Sequence, residues 1–108
     1  MFFKTASLKK KLIRKGILLR AVCGKKTMLT FFNFKPQTVV PEHKHHHEQI
    51  TYILKGALKF NLAGKVKILR AGQGVVVPAN KIHSAQVLSQ PAQVLDAWYP
   101  IRKDYIVD

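Results

Sequence analysis

Four of the five histidines of this 108-residue chain fall in one run, Pro41-Glu42-His43-Lys44-His45-His46-His47-Glu48-Gln49. Imidazoles at that density, inside the chain, suit a metal ion. In extended backbone, residues two apart face the same side, so His43 and His45 can aim at one point, and Gln49 keeps their parity. A divalent ion asks the protein for three or four such donors, with an open position if it is to do chemistry. The competing reading is a solvated polar loop whose histidines are incidental. A second chemical feature lies near the C-terminus, where Gln93 to Tyr99 alternates. Val94, Asp96 and Trp98 share one face there, so a carboxylate points the same way as an aromatic ring. The lone Cys23 sits in the apolar run Ile17 to Gly24 with no histidine nearby, and is expected to be a small buried hydrophobe rather than a nucleophile.

These groups need a scaffold, and the chain reads as mostly strands. Met28 to Phe34 is rich in aromatics, Gln49 to Leu54 is similar, and Leu58-Lys59-Phe60-Asn61-Leu62 alternates strictly, as a half-buried strand does. Ala57 to Leu62 and Lys65 to Leu69 close on Ala63-Gly64, a tight hairpin signal. Val75-Val76-Val77 ends in Pro78, which cannot donate to a central ladder. Gly or Pro interrupts every 8 to 12 residues or so, which indicates an antiparallel sandwich or barrel. Residues 5 to 15 are expected to form the one helix, capped by Ser7, striped by Leu8, Leu12 and Ile13, and ended by Gly16.

At 108 residues and 47% hydrophobic, the chain is expected to be a single domain over residues 1–108, too short for a multidomain enzyme or a (β/α)₈ barrel. Nineteen Lys and Arg face five Asp and Glu, a formal charge of +14. Such a charge invites an anionic partner: nucleic acid, an acidic membrane face or a small acid. The densest cluster, Lys9, Lys10, Lys11, Arg14 and Lys15, lies near one end and reads as a solvated surface, which argues against nucleic acid. Met1-Phe2-Phe3-Lys4 lacks the apolar region of a signal peptide, and no 18-residue apolar stretch offers a membrane span. A cytoplasmic protein with no membrane partner is the expectation.

The histidine run and the segment after it resemble the cupin family. The first cupin motif, two His separated by one residue, then Glu or Gln, then Gly, reads here as His43-Lys44-His45, Gln49 and Gly56. The second reads as Gly72, Pro78, Asn80 and His83. The resemblance implies an all-β fold, the double-stranded β-helix or jelly-roll barrel with at most a short N-terminal helix. It also implies one divalent metal ion (nickel, zinc, manganese or iron) held by His43, His45, Gln49 and His83. His46, His47 and Glu48 then fall to the rim. Gln49 stands where Glu is usual, and Asn80 where many members have Gly.

The tail Asp96-Ala97-Trp98-Tyr99-Pro100-Ile101-Arg102-Lys103-Asp104-Tyr105 resembles that of the small KdgF-type cupins of pectin and alginate breakdown. That family opens the ring of 4,5-unsaturated monouronates to a linear keto acid. The resemblance implies Asp96 as acid and base, Trp98 as a ring-packing wall where phenylalanine is expected, and Arg102 as the partner of a small anionic sugar acid. It implies a homodimer as well, with Phe2, Phe3 and the strand Met28 to Phe34 offering apolar edges. A noncatalytic cupin that binds a metal or small ligand, and a cupin dioxygenase, are the alternatives.

Overall fold

A computed structural model describes residues 1–107. Short apolar runs separated by turn residues become ten strands: β1 Lys11–Arg14, β2 Ile17–Cys23, β3 Met28–Phe34, β4 Val39–His43, β5 Glu48–Lys55, β6 Ala57–Leu62, β7 Lys65–Arg70, β8 Gly74–Val77, β9 His83–Val87 and β10 Ala92–Tyr99. Every pairing is antiparallel. Six strands form one sheet in the order β1-β2-β3-β10-β5-β8, and four form the other in the order β4-β9-β6-β7. The two sheets face each other as a jelly roll, the all-β fold expected. β8 lies at a sheet edge, where Pro78 leaves no central ladder unpaired. Among the described residues, no helix is long and apolar enough to cross a membrane.

The expected helix over residues 5 to 15 does not form. Only a single turn of 3₁₀-helix stands at Thr5–Ser7, and Lys11–Arg14 is strand β1, paired with β2 through Leu12 and Leu18. The physical reason is on the sequence. Lys11 and Lys15, and Lys10 and Arg14, would be like-charged neighbours four apart on a helix, with no acid to offset them. A helix of that length is marginal even without such repulsion. As a strand, the segment points Ile13 at the core and Leu12 away from it. Gly16, with φ of +85°, then makes the turn into β2 rather than ending a helix, and Cys23, expected to be buried, stands exposed as the last residue of β2.

Alternation decides what the two sheets enclose. β3, β5 and β10 send alternate residues inward, and their register stacks these in rows. Phe32, Val94 and Ile53 form an apolar row that continues the core of Leu19, Phe34, Leu58, Phe60 and Val87. One step along the strands the row turns polar, with Thr30, Asp96 and Thr51 side by side. The next brings Trp98 beside Gln49. The barrel is thus apolar at one end and polar, yet buried, at the other.

Gly56, the glycine of the first motif, takes φ of +82° at the corner between β5 and β6. A Cβ there would lie 2.5 Å from the Pro91 carbonyl oxygen, at the entry to β10. Gly56→Ala therefore combines a left-handed conformation with a backbone clash and is expected to cost about 2 kcal/mol or more. In a domain of this size that is a drop of roughly 10 °C in Tm, read by thermal denaturation.

Candidate metal centre and acid site

The three histidines meet across the sheet that β4 and β9 share, because the register of those strands sets His43 directly opposite His83. His45 comes from the loop that crosses to β5. That loop is tied down by Asn80, whose backbone N–H donates to the His45 carbonyl at 2.7 Å. Asn80 has φ of +64°, which explains why Gly is common at this position and why Asn serves. One nitrogen from each of His43, His45 and His83 lies within 4.8 Å of the other two.

Which nitrogens these are follows from the hydrogen bonds. Nδ1 of His43 donates to the Pro41 carbonyl at 2.9 Å, Nδ1 of His45 to that of His47 at 3.0 Å, and Nδ1 of His83 to that of Lys81 at 2.8 Å. A carbonyl only accepts, so each Nδ1 carries a hydrogen, and in the neutral ring Nε2 is a bare lone pair. Burial lowers the pKa of His45 to about 4 and that of His83 in the same direction, so both rings are neutral at pH 7. Histidines that ligate metals are commonly anchored in this way through the other nitrogen.

Gln49 sharpens the picture. Its Nε2 donates to Thr51 Oγ1 at 2.8 Å and to Asp96 Oδ2 at 3.3 Å, which turns Oε1 toward His45 Nε2, 3.0 Å away. Two acceptors thus face each other, and Nε2 of His83 is buried with no partner among the described residues. Opposed lone pairs are unfavourable unless a cation joins them. The donor set fits a divalent ion: three imidazole nitrogens, with an amide oxygen beside them. The three histidines are positioned to bind it.

Asp96 stands next to this cluster, buried, with Oδ2 held by Gln49 and Oδ1 without a partner among the described residues. Burial raises its pKa to about 7, against the opposing pull of the Thr51 hydroxyl and the Arg102 charge. A carboxyl poised at that value can both give and take a proton near neutrality. Trp98 is 4% exposed, donates from its indole nitrogen to Thr30 Oγ1 at 2.9 Å, and packs edge-on against His45. The indole N–H is spent inside the fold, so the ring serves as a wall. His43, His83, Gln49, Asp96, Trp98 and Arg102 all line one cavity of about 350 Å³.

Arg102 reaches that cavity from the tail beyond β10, over the rings of Trp98 and Tyr105. The other two histidines of the run are not among the three whose nitrogens converge, although the His47 ring packs edge-on against His45 at 5.4 Å. His46 is exposed, while His47 stacks on it and turns its ring toward Trp98. His47 contributes its backbone carbonyl to His45 instead. The sequence pattern assigns no role in the site to Thr30, Thr51 or Tyr105, which the structure places against Trp98, Gln49 and Arg102. The first two share the inward parity of Phe32 and Gln49 on their strands, a signal open to inspection. Tyr105 lies beyond the last strand, where no periodicity applies.

Comparison with known proteins agrees with this geometry. Residues 30–98 match the cupin domain family, a span that includes both histidine motifs and ends before Arg102. The chain is 26% identical over 80 residues to the pectin degradation protein KdgF of Dickeya dadantii, covering 73% of each chain. It superposes on the structure of KdgF from a Halomonas species with a TM-score of 0.92 and 28% identity, over 98% of both chains. An RmlC-like cupin from Shewanella frigidimarina, at 24% identity, has the same fold with a TM-score of 0.92 over 97% of this chain. With the histidines of its two motifs brought side by side by the pairing of β4 with β9, and the family match spanning most of its length, the chain belongs to the cupin family.

Proposed function

We propose that the protein opens the ring of a 4,5-unsaturated monouronate to a linear keto acid. The observation that carries this is the buried Asp96 carboxyl, bare at Oδ1 and set between the histidine cluster and Arg102 in one cavity. The likeness to two KdgF proteins supports it. The reaction is an isomerisation that needs no oxidant. The proton of the hemiacetal hydroxyl leaves, the bond from that carbon to the ring oxygen breaks, and the enolate so formed takes a proton on carbon to give the ketone. Asp96 as carboxylate accepts the first proton and as acid returns one, so no atom is gained or lost. A divalent ion held by His43, His45 and His83, with Gln49 as fourth ligand, would supply Lewis-acid polarisation of a sugar oxygen. Nickel, zinc, manganese and iron all suit these donors. Arg102 holds the substrate carboxylate, for which a guanidinium is better shaped than an ammonium. The test is turnover of an unsaturated uronate by protein loaded with each metal in turn. No turnover with any of them refutes the proposal, and oxygen consumption with the iron form would favour a dioxygenase.

The active form is a homodimer in this proposal, and the outer face of the six-stranded sheet supports it. Val22, Leu29, Ala97, Ile50 and Val76 lie in one row across five strands, and Phe31, Leu95 and Tyr52 in the next. Five strands span roughly 20 Å. A sheet face left to water is ordinarily polar, and contiguous apolar surface of this extent marks an interface. These two rows carry one charge, Arg20, in a chain whose net charge is +14, so a second copy can approach there with little repulsion. Sedimentation is expected to give a dimer, and Tyr52→Glu, at an exposed position, a folded monomer. A wild-type monomer would refute it.

A further inference from the structure

Arg102 is held in an unusual way for a residue meant to grip a ligand. Its Nε donates to both carboxylate oxygens of Asp104, at 3.1 and 3.2 Å. The guanidinium carbon sits over the face of the Tyr105 ring, 3.9 Å from its centroid, with the Trp98 centroid at 5.1 Å. Tyr105 is wedged edge-to-face between Phe32 and Trp98, at 5.7 and 5.6 Å, and its backbone N–H donates to the Arg102 carbonyl at 3.0 Å. The Asp104 carbonyl is held in turn by Lys11 Nζ at 3.2 Å. One edge and one face of the guanidinium are therefore occupied. Its two Nη groups have no hydrogen-bond partner among the described residues, and they are what remains for the cavity that Arg102 lines.

A guanidinium can take a carboxylate side-on, through Nε and one Nη, or end-on, through both Nη groups. We infer that Asp104 and Tyr105 are positioning residues that close the side-on mode and present Arg102 end-on to the acid group of the substrate. This rests on the ring-opening proposal for the identity of that substrate, and adds how its carboxylate is met. An unrestrained arginine has several rotatable bonds to order on binding, whereas this one is ordered beforehand. Asp104 also places a negative charge beside the anion's binding group. If neutralisation were its whole effect, removing it would tighten binding; if positioning dominates, removing it weakens binding. The sign of one measurement separates the two.

The protein offers its own reporter, because Trp98, the single tryptophan, lies under Arg102. Galacturonate, a saturated uronate, is titrated into the metal-loaded protein and followed by Trp98 fluorescence, and KM and kcat are measured with the unsaturated uronate. Asp104→Ala is expected to raise Kd and KM about three- to fivefold with kcat within about twofold, the upper range of an exposed ion pair. Tyr105→Leu behaves the same way, and Tyr105→Phe, which keeps the ring face, restores binding to within about twofold of wild type. Tighter or unchanged binding in Asp104→Ala overturns the inference, as does Tyr105→Phe failing as badly as Tyr105→Leu. Asp104 is exposed, so its variant decides alone if Tyr105→Leu does not fold. Wild type that binds galacturonate without opening the unsaturated uronate overturns the ring-opening proposal and leaves this inference standing. Wild type that neither binds nor converts a uronate overturns both.

Discussion

Asp96→Asn is expected to keep its metal, to lose turnover by about a thousandfold, and to make the metal-free protein more stable above neutral pH. The first two effects follow from removing the group that moves the proton while sparing the histidine nitrogens, since general acid–base catalysis contributes about 10²–10⁴-fold. The third follows from burial. The pKa of Asp96 is raised from 3.8 to about 7, so the folded state holds this proton more tightly than the unfolded state. Below pH 3.8 both states are protonated and the carboxyl costs nothing. As pH rises from 3.8 to 7 the unfolded state ionises while the folded state keeps its proton, and stability falls by on the order of 4 kcal/mol, a loss complete above pH 7. Asparagine stays neutral and removes that slope. In thermal denaturation with a chelator present, the variant should exceed wild type by roughly 15–30 °C at pH 8 and by only about 2–4 °C at pH 4. His45, whose pKa is lowered to about 4, acts in the opposite sense, losing stability as pH falls from 6.5 to 4. Both proteins share that contribution, so their difference isolates Asp96. Equal stability at pH 8 would mean that the carboxyl is not desolvated as the structure has it.

The poise of Asp96 could be foreseen only in part. Its direction was legible, because period-two alternation on β10 places it with Val94 and Trp98 wherever that strand pairs. Its surroundings were not, since Thr30 and Thr51 reach it from strands 66 and 45 residues away in sequence, through a register that no local pattern specifies. The same division runs through the metal centre. The His43-Lys44-His45 and Gln49 spacing was readable, and so was the hairpin at Ala63-Gly64. That His83 stands directly opposite His43 depends on β4 pairing with β9, and β4 carries Pro41 and Glu42, which do not read as a strand. At the N-terminus, Leu8, Leu12 and Ile13 fit a helical period, but pairing with β2 overrode it. Local chemistry was legible where one strand carries it, and illegible where two distant strands compose it.

His83→Ala and His45→Ala are expected to lose most of the bound metal, and His47→Ala to retain it nearly in full. The contrast rests on where each ring points. His45 and His83 turn Nδ1 to a carbonyl and leave Nε2 at the common point, whereas His47 lends a carbonyl and faces its ring toward Trp98. Removing a ligand should also change what metal does for the fold. Without the ion, the wild-type protein buries Gln49 Oε1 against the His45 Nε2 lone pair and leaves His83 Nε2 bare, a state that metal relieves. Metal at a thousand times its Kd stabilises the folded state by about 4 kcal/mol, or some 15–30 °C in a domain of this size. His83→Ala should show little of that rise, and it also loses the contact of the His83 ring with Phe60. His47→Ala should show nearly the full rise. Metal analysis beside thermal denaturation, with and without chelator, reads both effects at once. Retention of metal by His83→Ala together with its loss in His47→Ala would shift the centre to the other end of the histidine run, and Gln49 and Asp96 would then no longer adjoin it.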